Sequence, residues 1–171
     1  IGWALKHWPQ LKAAGDRLAV GTVESYLIFR LTGGAHVSDA SNASRTLLMD
    51  INSKGGWDPD LCDMLGVPMH LLPEITGCTT TVGTTDPVLF GGEIPISGMA
   101  GDQQAATIGQ ACLSPGQTKA TFGTGAFILS ASGTARPTST NRLLATVLVQ
   151  EGDVRSYALE GSVFVAGSLI K

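Results

Sequence analysis

The chain has 171 residues, of which 43% are hydrophobic, so it is long enough to bury the core of an ordinary domain. Its 11 basic and 14 acidic residues give a net charge of −3, and no run of like charges occurs. This balance argues against a protein that binds nucleic acid or an anionic membrane. The 3 cysteines are widely spaced and form no Cys-x-x-Cys motif, which is typical of reduced thiols. We therefore expect a cytoplasmic protein with small-molecule partners.

The sequence shows no membrane-spanning segment, because no apolar run approaches the roughly 20 residues that cross a bilayer. The first residue is Ile1 rather than methionine, and the last, Lys171, falls within a helical pattern. We therefore expect the chain to be a piece of a longer protein.

The first third of the chain has helical periodicity. Residues 1–14 have apolar residues at amphipathic spacing, but Pro9 interrupts any single helix there. Residues 22–31 repeat apolar side chains at helical spacing, and Gly33-Gly34 supplies the left-handed residue that ends a helix. The pattern predicts a helix over this second segment.

A polar segment and a short helix follow. Residues 39–46 have short polar side chains that bond their own backbone, which predicts a loop leading into a strand or short turn at 47–49. Farther on, Asp58 as N-cap, Pro59 as first helical residue and Gly66 as terminator predict a short helix.

The centre of the chain predicts a strand followed by a helix. Residues 93–101 are typical of a buried strand with small residues, and the alanine-rich residues 103–112 are typical of a helix. Asp102 lies at the joint, and in open α/β sheets ligands bind at the carboxyl ends of strands.

Beyond the turn cluster at 113–117, the periodicity changes to that of strands. We predict that Gly161 and Ser162 then start another helix, and that a second domain begins near residue 113. The predicted strands are residues 118–122, 127–131, 143–149 and 156–159.

Asp102 is the candidate catalytic base. Phosphoryl transfer to an alcohol needs a carboxylate within hydrogen-bond reach of the attacking hydroxyl, together with donors and a metal ion for the phosphates. The simpler interpretation is that Asp102 is only a helix N-cap. Both roles are compatible, because a capping aspartate at a strand end is held rigidly.

The run Phe122-Gly123-Thr124-Gly125 is the candidate phosphate turn. Its glycines admit phosphate close to successive N–H groups, and the Thr124 hydroxyl adds a donor. The simpler interpretation is an ordinary hairpin turn between two strands. A Walker loop and a dinucleotide fingerprint are both excluded, the latter because Ile128 stands where the third glycine should be.

Other side chains could complete such a site. Gln103 and Gln104 could bond a polyol hydroxyl or could simply be solvated or capping residues. Phe127 could form an apolar wall or belong to the core. Gly167 could let a flat ring pack on the backbone or let helices pack together. The 3 histidines have no metal or triad spacing, and we assign them no role.

Four segments in a fixed order carry a family resemblance. They are residues 39–46 (DASNASRT), 96–106 (ISGMAGDQQAA), 121–127 (TFGTGAF) and 157–162 (YALEGS). Together they resemble the FGGY family of carbohydrate kinases, and the likeness runs almost from end to end. Gln103-Gln104 and Gly125-Ala126-Phe127 resemble its glycerol-phosphorylating branch, since xylulose-phosphorylating members usually differ at these positions.

The resemblance implies an α/β fold of the actin-like, ribonuclease-H-like type, with two domains that close on ATP-Mg²⁺ and a polyol and exclude water. Residues 1–112 would end the first, substrate-binding domain, and residues 113–171 would begin the second, nucleotide-binding domain. The implied reaction is ATP-dependent phosphorylation of glycerol to sn-glycerol 3-phosphate.

The resemblance also implies roles for single residues. Asp102 matches the base, and Gln103 and Phe127 match contacts to glycerol. Thr124 and Gly125 match the turn that faces the transferred phosphate. Gly167 matches a glycine that lines the nucleotide site.

Other family parts are missing from this sequence, including the phosphate loop and the upstream residues that hold glycerol. We therefore expect the isolated chain to be inactive. Residues 86–93 also have neither the arginine that binds fructose 1,6-bisphosphate in some relatives nor the histidine that is phosphorylated in others. Glu93 would repel a bisphosphate, so we expect neither control.

The sequence leaves two alternatives open. One is a different polyol or ketose kinase of the same family, and the other is a catalytically inactive actin-like domain that binds nucleotide or a partner. The strands after residue 113 would have uncovered apolar faces in this piece. A second copy could cover them, and we expect a homo-oligomer.

Overall fold

The computed structural model describes residues 1–52 and 56–169. It divides into two compact units, Ile1–Met99 and Ala100–Lys171. The domain boundary expected near residue 112 or 113 concerns the longer protein and stays a prediction.

Unit 1 contains short helices and two small sheets. Its first two strands pair in parallel, and its last two pair in antiparallel orientation. The helices are α1 (Gly2–His7), α2 (Pro9–Ala14), α3 (Val23–Thr32), α4 (Ala40–Ala43), α5 (Pro59–Leu65) and α6 (Pro87–Phe90). The strands are β1 (Val37–Asp39), β2 (Glu74–Thr76), β3 (Gly83–Thr84) and β4 (Pro95–Ile96).

The helix ends of unit 1 follow the sequence closely. Pro9 begins α2 directly after α1, so the predicted interruption is confirmed. Helix α3 ends at Thr32, and Gly33 caps it in the left-handed conformation, with φ of 74°. Asp58 accepts a hydrogen bond from the backbone N–H of Leu61, and Gly66 ends α5 in the left-handed conformation. These predicted caps are confirmed.

The polar segment at 39–46, predicted as a loop, contains the end of β1 and the short helix α4. Asp39 ends β1 and caps α4, where its side chain accepts from the backbone N–H of Ser41 at 2.8 Å. The same carboxylate accepts from the Ser41 hydroxyl, from Asn42 Nδ2 and from Cys78 Sγ. Because these donors satisfy both carboxylate oxygens, a fully buried acid is tolerated here.

The predicted buried strand over residues 93–101 is wrong in both length and burial. Strand β4 contains only Pro95–Ile96, and Ile94 is exposed. Its partner β3 has only two residues, so the ladder cannot extend farther. The strand therefore ends well before Asp102, and the argument that a strand end places this aspartate does not hold.

Among its described residues, unit 2 has one α-helix, a short 3₁₀ turn and an antiparallel sheet of four strands, in which the first strand pairs with the second, the second with the fourth and the fourth with the third. Its core consists of buried Leu129, Ala131, Leu148 and Ala158, with Val149 packed against them. The elements are α7 (Asp102–Gly109), β5 (Thr118–Phe122), β6 (Ala126–Gly133), β7 (Leu144–Glu151) and β8 (Val154–Val163).

The four predicted strands of unit 2 are confirmed, although three of them are longer than predicted. The predicted helix after Gly161 is wrong. Strand β8 continues to Val163 because it remains paired with β6, where Val163 lies opposite Ala126. A 3₁₀ turn follows at Gly167–Leu169. Across the described residues, no helix has the length and apolar character that a membrane crossing needs.

Candidate active site

Asp102 is the first residue of α7, and Gly101 occupies the N-cap position. The interpretation of Asp102 as a plain N-cap is therefore wrong. One carboxylate oxygen, Oδ1, accepts a hydrogen bond from the backbone N–H of Gln103 at 2.7 Å. The side chain is exposed within its unit. Asp102 therefore has a fixed carboxylate that can still accept a proton from a ligand.

The two glutamines that follow have different environments. Gln104 is 1% exposed, and its Nε2 donates to the carbonyl oxygen of Val147 at 3.1 Å, which attaches α7 to β7. Gln103 is half-buried, and its Oε1 accepts from Lys119 Nζ at 2.5 Å. Gln104 is thus a structural residue, whereas Gln103 lies at the start of the helix beside Asp102.

The register of the sheet brings further side chains to the face that α7 covers. Lys119 and Thr121 lie two residues apart on β5, so they share one face. Thr121 lies opposite Phe127 in the β5–β6 ladder. Lys119 Nζ donates to Gln103 on α7, so this face is the one toward the helix. The half-buried Phe127 therefore lies on the same side of the sheet as Gln103.

Lys119 is a member of this site that we did not single out in the sequence. It is 1% exposed, and among the described residues it is the largest fully buried side chain. Burial lowers its pKa, while the nearby carboxylates of Asp102 and Glu160 act in the opposite direction. Strand alternation could have revealed it, because it shares the inward face with Thr121.

The predicted phosphate turn connects β5 and β6. Within it, the backbone N–H of Gly123 donates to the carbonyl oxygen of Gly125 at 2.7 Å. Thr124 is exposed, and no described residue accepts a hydrogen bond from its N–H, its hydroxyl or the N–H of Gly125. Three adjacent donors in one turn are available to an anion. The hairpin interpretation is confirmed, and phosphate binding by the same residues stays a prediction.

Two glycines of this region lie in close contact with backbone atoms from elsewhere in the chain. A Cβ on Gly125 would lie 2.7 Å from the carbonyl oxygen of Val163, and one on Gly167 would lie 2.5 Å from that of Gly123. The backbone N–H groups of Ala166 and Gly167 donate to the carbonyl oxygens of Thr124 and Gly123. The segment after β8 is therefore attached to the phosphate turn, and glycine is needed there for close backbone packing.

Unit 2 thus contains all six predicted site residues. Asp102, Gln103 and Phe127 lie on the α7 side of the sheet, while Thr124, Gly125 and Gly167 cluster at the β5–β6 turn. In the part of the chain that the structure describes, no group of three acidic, histidine or cysteine side chains could hold a metal ion.

Unit 1 contains a separate cavity of about 430 Å³. None of the predicted site residues lines it. His36 lies at this cavity, and its Nε2 is 3.1 Å from the carbonyl oxygen of Val20. The lining residues are Arg17, Leu18, Ala19, Val20, Gly21, Thr22, Ser25, Tyr26, Phe29 and His36.

Comparison with solved structures defines the fold. The glycerol kinase of Plasmodium falciparum, solved with ADP, is 39% identical and superposes with a TM-score of 0.89 over 98% of this chain and 34% of that chain. A xylulose kinase from Rhodospirillum rubrum is 26% identical, with a TM-score of 0.81 over 97% of this chain and 33% of that chain. The fold is therefore of the actin-like ATPase class.

The sequence comparison then defines the family. The FGGY family of carbohydrate kinases, N-terminal domain, matches residues 1–109, and the chain belongs to this family. Proteins named glycerol kinase from Methylobacterium nodulans and Brucella ovis are 54% and 51% identical over 100% of the chain. The chain covers 34% and 35% of their respective lengths, so it spans about a third of these relatives.

Proposed function

We propose that the protein to which this chain belongs phosphorylates glycerol with ATP and releases sn-glycerol 3-phosphate and ADP. The observation that carries the proposal is the exposed carboxylate of Asp102, which is held by the Gln103 N–H and lies on the same helix turn as that glutamine. The 54% identity to a protein named glycerol kinase, over the whole chain, supports this choice of substrate.

In the proposed mechanism, Asp102 accepts the proton of a terminal hydroxyl as its oxygen attacks the γ-phosphorus of ATP. The new O–P bond forms while the bond from the γ-phosphorus to the β,γ-bridging oxygen breaks, and ADP leaves with that electron pair. Gln103 holds a hydroxyl of the polyol, and Phe127 packs against its carbon chain. The base works only from a fixed position, which the hydrogen bond to the Gln103 N–H provides.

The turn at Gly123–Gly125 fits a nucleotide phosphate. The N–H and hydroxyl of Thr124 and the N–H of Gly125 supply donors, and no carboxylate lies within the turn. In this proposal Thr124 and Gly125 bind the transferred phosphate, and Gly167 lines the nucleotide site. Because Gly167 is attached to the turn, it would couple the phosphate-binding residues to the nucleotide site.

Magnesium fits this chain as a companion of the nucleotide. The described residues form no cluster for a metal ion, and Mg²⁺ is commonly held by substrate phosphates with only one or two carboxylates. When bound with ATP it would neutralise charge on the phosphates. Asp102 is the carboxylate of this site that could approach it.

Initial rates of ADP release by the full-length protein test the proposal. Glycerol, dihydroxyacetone, erythritol and xylulose are compared in parallel with ATP-Mg²⁺, and we expect glycerol to have the highest kcat/KM. Asp102→Asn should lower kcat by roughly a thousandfold, because it removes the base but keeps the shape. Asp86→Asn is the matched control, since Asp86 only caps α6.

Each of the other possible results would contradict a specific part of this proposal. Preference for xylulose or erythritol would support another kinase of the family and overturn the choice of glycerol. ATP binding without turnover of any acceptor would support the inactive actin-like domain. Full activity of Asp102→Asn would overturn its role as base. Cytoplasmic location and assembly into a homo-oligomer stay predictions beside this proposal.

A further inference from the structure

Lys119 has an unusual position for a lysine. It lies on β5 and is 1% exposed, although burying an ammonium group is costly unless partners compensate the charge. Its Nζ donates to Gln103 Oε1 at 2.5 Å and to Thr121 Oγ1 at 2.7 Å. One of these two bonds is to Gln103, the side chain proposed to contact the polyol, so the lysine can orient a residue of the site.

The chemistry of the ammonium group determines which end of the Gln103 amide faces it. A lysine ammonium has three donors and no acceptor, so only the amide oxygen can bond to it. The NH₂ group of Gln103 must then point away from Lys119. No described residue accepts a hydrogen bond from this NH₂ group. It is therefore available as a donor to a ligand.

Two carboxylates, each on a neighbouring element, stabilise the positive charge of Lys119. Asp102, at the start of α7, and Glu160, on β8, both oppose the effect of burial on the pKa of Lys119. Glu160 is 4% exposed and lies opposite Leu129, which in turn lies opposite Lys119 across β6. The lysine thus has two hydrogen-bond acceptors, Gln103 and Thr121, and two carboxylates whose charge favours its ammonium form.

We infer that Lys119 is a positioning residue that makes Gln103 a hydrogen-bond donor to the polyol. Gln103 then donates to one hydroxyl group, while Asp102 accepts from another. This inference rests on the proposed function. The polyol hydroxyl bound to Gln103 accepts a hydrogen bond, whereas the polyol hydroxyl bound to Asp102 donates the proton that is later transferred. Without Lys119 the amide could rotate and present its oxygen, which would compete with Asp102 for the same kind of hydroxyl proton.

The kinetic test uses the full-length protein and Lys119→Met, which keeps the unbranched side chain to within one atom of its length but removes its charge and donors. We expect KM for glycerol to rise about tenfold, the change expected from losing one oriented hydrogen bond, while KM for ATP changes less than about twofold. Lys12→Met, at an exposed position on α2, is the matched control. Equal effects on both substrates would indicate a merely structural lysine and overturn the inference.

A double-mutant cycle with Gln103→Ala separates positioning from packing. If Lys119 acts through Gln103, Lys119→Met should raise KM for glycerol by less than about twofold once the amide is absent. Independent effects that multiply would overturn the inference.

Gln103→Glu is the second variant, in case Lys119→Met does not fold. Its carboxylate can still bond to Lys119, but it has no NH₂ group to donate to glycerol. We expect a folded protein with weakened glycerol binding by calorimetry. Unchanged affinity would contradict the donor role.

The side-chain amide resonances of Gln103 give a readout that does not depend on activity. They are assigned as the pair that Gln103→Ala removes. Lys119→Met should shift them, since the amide loses its charged partner, and Lys12→Met should leave them in place. Unshifted resonances would overturn the positioning role even in an active enzyme. Shifted resonances in a protein that phosphorylates no polyol would uphold this hydrogen bond and reject the proposed function instead.

Discussion

Gly167 donates its backbone N–H to the carbonyl oxygen of Gly123 at 3.0 Å, so the segment after β8 is attached directly to the turn between β5 and β6. The two backbones approach so closely that no side chain fits at Gly167. The conformation of the proposed phosphate turn therefore depends on a segment that follows it by more than forty residues in the chain.

We predict that Gly167→Ala destabilises the protein by about 1–3 kcal/mol, because the new methyl group meets a backbone oxygen that cannot turn aside. Chemical denaturation of the full-length protein measures this change, and KM for ATP should rise in parallel. Gly109→Ala is the control. A Cβ there meets no atom within 4 Å at the end of α7, so stability should stay unchanged or increase. Equal stability of both variants would contradict the close packing.

The adjacent glutamines should respond differently to mutation. Gln104→Ala removes the donor to the Val147 carbonyl oxygen and empties a buried site, so we expect a loss of about 1–3 kcal/mol in unfolding free energy. KM for glycerol should change little, because this side chain does not reach a ligand. Denaturation and steady-state kinetics on the same preparation measure both quantities. A large increase in KM at unchanged stability would assign Gln104 to the substrate site after all.

Glycerol binding should weaken at alkaline pH. Burial lowers the pKa of Lys119, so its ammonium group loses the proton at a lower pH than an exposed lysine, although Asp102 and Glu160 limit the effect. As pH rises through that pKa, the charge that orients Gln103 disappears and KM for glycerol should increase. A pH series between about 7 and 10 measures it. Gln103→Ala is the control, because its KM should lack this rise, and a rise of equal size would assign the effect to another group.

The thiol of Cys62 should resist alkylation in the native protein. Burial raises its pKa first, and the carboxylates of Asp58 and Asp63 raise it further, so little reactive thiolate forms near neutral pH. Its side chain is also fully buried. Mass spectrometry after iodoacetamide treatment should show modification of Cys62 at least about a hundredfold slower than in urea-unfolded protein. Cys62 forms one buried cluster with Leu48 and Val67, and comparable rates in the two states would show that this cluster opens readily.

Several elements could be predicted from the sequence because their causes are local. Pro59 and Gly66 define the two ends of α5 through backbone dihedral preferences, and neither depends on distant residues. The same holds for the left-handed Gly33 after α3. Strand β5 was predicted with its observed limits, since alternation and the preceding Pro-Gly turn are both short-range signals.

The errors lie where pairing partners decide the outcome. Residues 93–101 have the composition of a buried strand, yet only Pro95–Ile96 pair, because β3 offers two residues. Residues after Gly161 have a helical pattern, but β6 extends β8 to Val163. In both segments the secondary structure was determined by the strand available for pairing and not by local sequence preference.

The sequence by itself determined the family, the strand pattern of unit 2 and the six candidate site residues, because motifs and backbone preferences are written in consecutive residues. Only the tertiary structure decided which side chains meet. Lys119 contacts Gln103 across sixteen positions, and Gly167 packs on Gly123 in the turn between β5 and β6. Such contacts depend on strand register and on how a helix lies against a sheet, and these are properties of the folded chain as a whole.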